Sequence, residues 1–218
     1  MMPLPWILVF LPWAGALLLA ALPPRGRLPA FVNIGISAGS LLVALALLGH
    51  EHGVQGWTRT DALNLPFIAV AALIGLTTAI FSAATVEAET FDGLRARAYH
   101  AAFQVFMGAQ ALALVSDNMG VMWVAIEIAT LASVLMVGVH GTPAAVEAAW
   151  KFFILCGVGI ALALFGTILL YLAAQPVVGS GDPGLSWAAL RAVAEQCDPG
   201  VLSLAFVFLL VGYGTKAG

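Results

Sequence analysis

Charged side chains are spread so thinly along this chain that the intervals between them dictate what it can fold into. Residues 1–24, 28–50, 62–86, 98–116 and 152–181 contain no Asp, Glu, Lys or Arg. A helix needs about 20 apolar residues to cross a hydrocarbon core of roughly 30 Å, and each run is about that long or longer. Two further stretches, 118–139 and 199–217, carry one charge each, Glu127 and Lys216. The expected fold is therefore all-α. It is a polytopic transmembrane helical bundle of about seven helices, a single membrane domain over 1–218 with spans about 4–22, 28–49, 63–86, 98–116, 118–139, 143–174 and 199–217.

Composition narrows the function classes. Of 218 residues 62% are apolar and 9% charged, whereas ordinary globular domains carry roughly 25% charged residues; a water-soluble fold is excluded, and the lipid bilayer is the solvent. The formal net charge of −3, with no basic cluster to follow a phosphate backbone, excludes a nucleic-acid partner. Cys156 lies in an apolar run and Cys197 in a polar connection, neither with a Cys or His at metal-ligand spacing. No phosphate-cradling glycine loop, cysteine cluster or paired histidine is present, so no cofactor or metal is expected.

The first span lacks a basic start and runs into Pro23, Pro24 and Arg25 rather than a small-residue cleavage site, so it reads as a retained helix and not a secretion signal. Asp117 before Asn118, Thr142 before Pro143 and Asp198 before Pro199 place N-cap acceptors at the starts of spans five, six and seven. Arg25 and Arg27 join spans one and two, and Arg95 and Arg97 join three and four, against Arg59 and Arg191 on the opposite side; the bias puts the N-terminus outside. Trp187, Leu190, Val193 and Ala194 share a helical face within 186–196. That segment is either a short helix in the membrane interface or an ordinary polar connection. Trp6, Trp57, Trp123, Trp150 and Trp187 read as interface anchors, and His100 and His140, near span ends, as solvated interface histidines or, alternatively, proton relays.

Glu127 stands ten residues beyond Asp117, roughly 15 Å along a helix that covers about 30 Å, so it belongs near the midplane. An ionised carboxylate there costs about 2.5 to 3.5 kcal/mol or more, and must be neutralised, hydrated or paired. Thr130 shares its face, and Ser133 lies further round. Lys151 has two readings: an ion pair with Glu147, four residues before it in the favourable order, or a cation carried into the core by a long, tilted helix. Lys216 also has two. On an unbroken helix it returns to the far surface and snorkels; if Gly212, Gly214 and Gly218 accompany a break, it is buried and functional.

Three segments carry a family likeness: Asp-Asn-Met-Gly-Val-Met-Trp-Val-Ala-Ile-Glu at 117–127, Ala-Ala-Trp-Lys-Phe-Phe at 148–153, and Gly-Tyr-Gly-Thr-Lys-Ala-Gly at 212–218. Through them the chain resembles the antiporter-like membrane subunits of complex I, Mrp-type cation/proton antiporters and group 4 nickel-iron hydrogenases, and within these component F of hydrogenase-4 and formate hydrogenlyase complexes. The resemblance implies the first half of an inverted-repeat fold in the inner (plasma) membrane. It further implies an inlet half-channel for protons, built from a glutamate on the fifth helix, a lysine on the sixth and a lysine on a broken seventh. Glu127, Lys151 and Lys216 occupy those helices. The family's continuation, with its second repeat and further lysines, does not follow Lys216 here, so the chain is expected to be the N-terminal part of a longer protein that does not translocate protons alone.

The function this implies is that of a proton-translocating membrane subunit of a redox-driven complex, of hydrogenase-4, formate hydrogenlyase or NADH-quinone oxidoreductase type. Other membrane subunits are its partners, and it has no catalytic site of its own. Two alternatives stand beside it: a sodium-exchanging Mrp-type antiporter subunit, and a non-conducting scaffold for a peripheral redox arm in which Glu127 is neutral and structural.

Overall fold

The computed structural model describes residues 4–23, 27–88 and 91–217. Pro24 and Arg25, which bear on the first boundary and on orientation, and Gly218 lie outside the described residues. The helices are α1 (Leu4–Ala21), α2 (Leu28–Leu47), α3 (Asn64–Ala88), α4 (Gly93–Val115), α5 (Met119–Val137), α6 (Pro143–Val178), α7 (Trp187–Val193) and α8 (Pro199–Ala217). All but α7 are long and apolar enough to cross a membrane, which gives seven candidate spans among the described residues. The chain is a multi-pass membrane protein.

Local chemistry sets the helix ends. Thr142 caps α6 by accepting from the Ala145 N–H at 3.2 Å, with proline in the first turn, and Asp198 accepts from the Val201 N–H at 2.9 Å. At α3 the capping is reciprocal: Asp61 Oδ1 accepts from the Asn64 N–H at 2.7 Å, while Asn64 Oδ1 accepts from the Asp61 N–H at 2.8 Å. The fourth span begins at Gly93, a turn earlier than its charge-free run, because Asp92 caps it through the Arg95 N–H at 2.7 Å. Arg95 and Arg97 are therefore helical, and their guanidinium groups donate to the carbonyls of His140 and Leu22 at 3.1 and 3.0 Å. α6 runs through Pro176 to Val178 and stops at Gly179, whose φ of 82° suits glycine.

The bundle is all-α, and the connection after α2 adds one short hairpin of β1 (Gly53–Gln55) and β2 (Thr58–Thr60), turning at Gly56 with φ of 62°. Three residues per strand leave too little alternation to show in the sequence. The 186–196 segment contains α7, capped by Ser186 through the Ala189 N–H at 3.2 Å.

α1 to α4 enclose the main core, with Leu8, Val9, Leu47, Ile68, Leu112 and Val115 all buried. α5 packs on α4, α6 on α5, and α8 on α6. Outward faces carry exposed Leu17, Phe31, Leu42, Phe81 and Leu155. Such side chains cost about 1.5 to 3 kcal/mol each when left in water and nothing when left in hydrocarbon.

Candidate functional site: a carboxylate, a hydroxyl and an ammonium at mid-depth

The residue that caps α5 is Asn118, not Asp117: Asn118 Oδ1 accepts from the Gly120 and Val121 N–H groups at 2.9 and 3.1 Å. Asp117, 2% exposed, instead faces away from the helix. Its carboxylate accepts from the Ser186 hydroxyl at 2.5 Å and the Ala188 N–H at 3.2 Å, with Arg59 Nε at 3.9 Å. Sequence reasoning missed this because adjacent Asp and Asn offer the same capping oxygen, and only the tertiary partners choose between them. Nine residues on from Asn118, about 13 Å along the helix, Glu127 projects from α5, half-buried. Its Oε2 is buried and has no hydrogen-bond partner among the described residues.

Lys216 reaches the same face. Its Nζ donates to Thr130 Oγ1 at 2.8 Å, and Thr130, buried, donates in turn to the Ile126 carbonyl at 2.8 Å. Thr130 lies three residues after Glu127, so the two side chains are neighbours on the helix surface, with Cβ atoms about 5 to 6 Å apart. Among the described residues Glu127 and Lys216 form no ion pair; the ammonium is held by the Thr130 hydroxyl, one turn along α5 from the carboxylate. Thr130 is also eleven residues past Met119, about 16 Å into a helix of 19 residues and about 28 Å. The ammonium therefore sits near the middle of the bundle.

That depth departs from the reading in which Lys216 snorkels to the far surface. Among the described residues α8 is continuous to Ala217, with no break before Lys216. An unbroken helix still leaves the lysine at mid-depth, because α8 starts beside Met119, where Val201 and Leu202 pack, and descends antiparallel to α6. The glycines set how closely it descends. A Cβ on Gly212 would lie 2.5 Å from the Ala163 nitrogen, and one on Gly166 would lie 2.9 Å from the Leu209 nitrogen. Gly159 faces Thr215 with no room for a side chain. Gly212 thus serves helix contact rather than a freed carbonyl.

Lys151 is not brought to this site. It is exposed on α6 and paired with Glu147 at 2.5 Å, one turn away. Trp123 is no interface anchor either: its indole N–H donates to the Ile160 carbonyl at 2.7 Å and joins α5 to α6. Trp57 is exposed and donates to Asp182 at 3.4 Å; Trp187 stacks under the Arg59 guanidinium at 5.8 Å; Trp150 is exposed. His100, read as solvated, is 1% exposed inside α4. It lies eight residues past the Asp92 cap, deeper than the charge-free run suggested. His140 packs edge-on against Phe91 at 5.0 Å, near the carbonyl contact with Arg95.

Residues 116–218 match the family described as NADH:quinone oxidoreductase/Mrp antiporter, TM. The chain is 41% identical over 214 residues to the hydrogenase-4 component F homolog of Methylacidiphilum infernorum (isolate V4), covering 96% of this chain and 45% of that protein. A chain of the membrane-bound sulfane sulfur reductase, an archaeal respiratory membrane complex, superposes with a TM-score of 0.80 at 20% identity, covering 96% of this chain and 44% of that one. A chain of respiratory complex I from Thermus thermophilus superposes with a TM-score of 0.74 at 23% identity, covering 99% and 44%. This chain spans under half the length of each of these relatives.

Proposed function

The chain belongs to the family of antiporter-like membrane subunits, and on that premise we propose that it supplies the inlet half of a proton path in a redox-driven membrane complex. The observation that supports this most is the contact between Lys216 and Thr130 at mid-depth, on the face that carries Glu127. A cation held in oil is expensive, and a chain retains one where protons or ions pass.

The mechanism is electrostatic. Opposite charges about 6 to 8 Å apart gain about 2 to 3 kcal/mol at an effective dielectric of about 20. About 1.4 kcal/mol changes a proton's occupancy tenfold. Neutralising Glu127, or moving it away from Thr130, therefore loosens the proton on Lys216, and restoring it tightens that proton again. Thr130 fixes the ammonium by accepting its hydrogen bond and leaves the carboxylate free to change state. Lys151 is assigned the role of a second cation on the route, on the strength of the resemblance. Its pairing with Glu147 keeps that turn close to neutral until a neighbour displaces the carboxylate. The N-terminus lies outside, the location is the inner membrane, and other membrane subunits of a hydrogenase-4 or complex I-like assembly are the partners.

The test uses the full-length protein in its complex. Glu127→Gln and Lys216→Ala are each expected to lower proton uptake into proteoliposomes about tenfold or more, with the complex intact on a native gel. Normal pumping with either variant rejects the assignment, and a harmless Glu127→Gln points to the scaffold alternative. The family description also covers Mrp antiporters; a pH change that requires sodium would select that second reading.

A further inference from the structure

Away from Glu127, the α2–α4 interface holds four polar side chains that the transport site does not use. Asn33 and Ser37 lie one turn apart on α2, and His100 and Gln104 one turn apart on α4; all four are between 0% and 1% exposed. Gln104 Nε2 donates to Asn33 Oδ1 at 2.7 Å, to Ser37 Oγ at 3.0 Å and to the Asn33 carbonyl at 3.2 Å. Three buried atoms then have no partner among the described residues: Asn33 Nδ2, Gln104 Oε1 and His100 Nδ1.

Reassigning the amides does not remove the deficit. If both are flipped, Asn33 Nδ2 donates to Gln104 Oε1 and Ser37 donates to the same oxygen, but Gln104 Nε2 and Asn33 Oδ1 become the orphans. One donor and one acceptor stay unmatched in either assignment, with the imidazole nitrogen a turn away. Gln104 lies twelve residues past the Asp92 cap, about 18 Å along α4, so this deficit falls within the hydrocarbon depth. Each unmatched group there costs several kcal/mol. The cluster is two amides, a hydroxyl and an imidazole, without a formal charge, so it suits a small neutral ligand that both donates and accepts. One turn further along α2, Ser40 lines a pocket of about 20 Å³ with Gln110 across it, room for one water molecule.

We propose that α2 and α4 form a second polar site that binds ordered water between Asn33, Gln104 and His100, and that this water is the proton-exchange partner of the buried His100 imidazole. Water donates to the free amide oxygen and to His100 Nδ1, and accepts from the free amide N–H. His100 thereby exchanges protons in the midst of an apolar bundle by a route that does not involve Glu127 or Lys216, and the inference does not rest on the transport role.

The experiment is water-edited solid-state NMR on the 15N-labelled full-length protein in deuterated lipid bilayers, with His100→Phe to assign the imidazole. The His100 ring and the Asn33 and Gln104 side-chain amides are expected to gain magnetisation from water several-fold faster than the Trp13 indole, whose N–H is satisfied by the Val105 carbonyl at 3.2 Å. Transfer as slow as that of Trp13 overturns the proposal. Gln104→Met is expected to abolish the transfer at His100, and an undiminished rate in a folded variant also overturns it. Should Gln104→Met fail to fold, the wild-type comparison with Trp13 decides alone.

Discussion

Asp61 is held ionised chiefly by the Asn64 N–H. Burial, the next largest influence, opposes it, and the Leu63 N–H, the Arg59 guanidinium and His52 add to the lowering, so the net result lies below the usual carboxylate value. Its contribution to stability is therefore complete above about pH 4, the unfolded value, and is lost as pH falls through the lower folded value. The Asn64 amide shift is expected to titrate with a midpoint below about pH 4, and Asp61→Ala should abolish that titration and fray the start of α3. Glu127 was legible because it is a single charge inside an apolar run, where the physics of insertion permits few roles. The Asn33–Ser37 and His100–Gln104 pairs carry a readable signal as well, polar residues four apart within uncharged runs. The partnership of Lys216 with Thr130 was not legible, since it depends on where two helices sit in depth, which no spacing within one helix encodes.

Between elements, the α6–α8 contact decides that depth. Gly212 and Gly166 let the backbones approach, whereas Gly214 has open space around its Cβ position. Gly212→Leu is expected to push α8 off α6, lower the melting temperature of the purified protein and move Lys216 away from Thr130. Gly214→Ala should be neutral or slightly stabilising, because alanine favours a helix by about 1 kcal/mol over glycine. If the two variants melt alike, close packing is not what positions the lysine. Seven spans could be counted in the sequence because hydrocarbon thickness sets a length that charge spacing reveals directly. The hairpin and the α7 capping could not, because segments of three to seven residues take their structure from what they touch.

Across the whole molecule, the loop between α4 and α5 gathers one end of the bundle. The Asp117 N–H donates to the Trp57 carbonyl at 2.8 Å, the Trp187 N–H donates to the Asp117 carbonyl at 2.7 Å, and the Asp117 carboxylate holds Ser186 and faces Arg59. One residue thus joins the hairpin, the start of α5 and the α7 segment. Asp117→Ala should cost about 2 to 3 kcal/mol, the worth of a hydrogen-bonded buried charge, and hydrogen exchange should rise together in 53–60 and 182–190. A rise confined to one of these segments would show that the tie is not shared. α6, at 36 residues, far exceeds the crossing length, while α5, with 19, barely meets it. A bilayer built from longer acyl tails can be accommodated by α6 without strain, but α5 has no slack and must straighten or drag its surroundings inward. Membrane thickness consequently bears first on the helix that carries Glu127, so lipid chain length becomes a natural tuner of the depth at which that carboxylate sits.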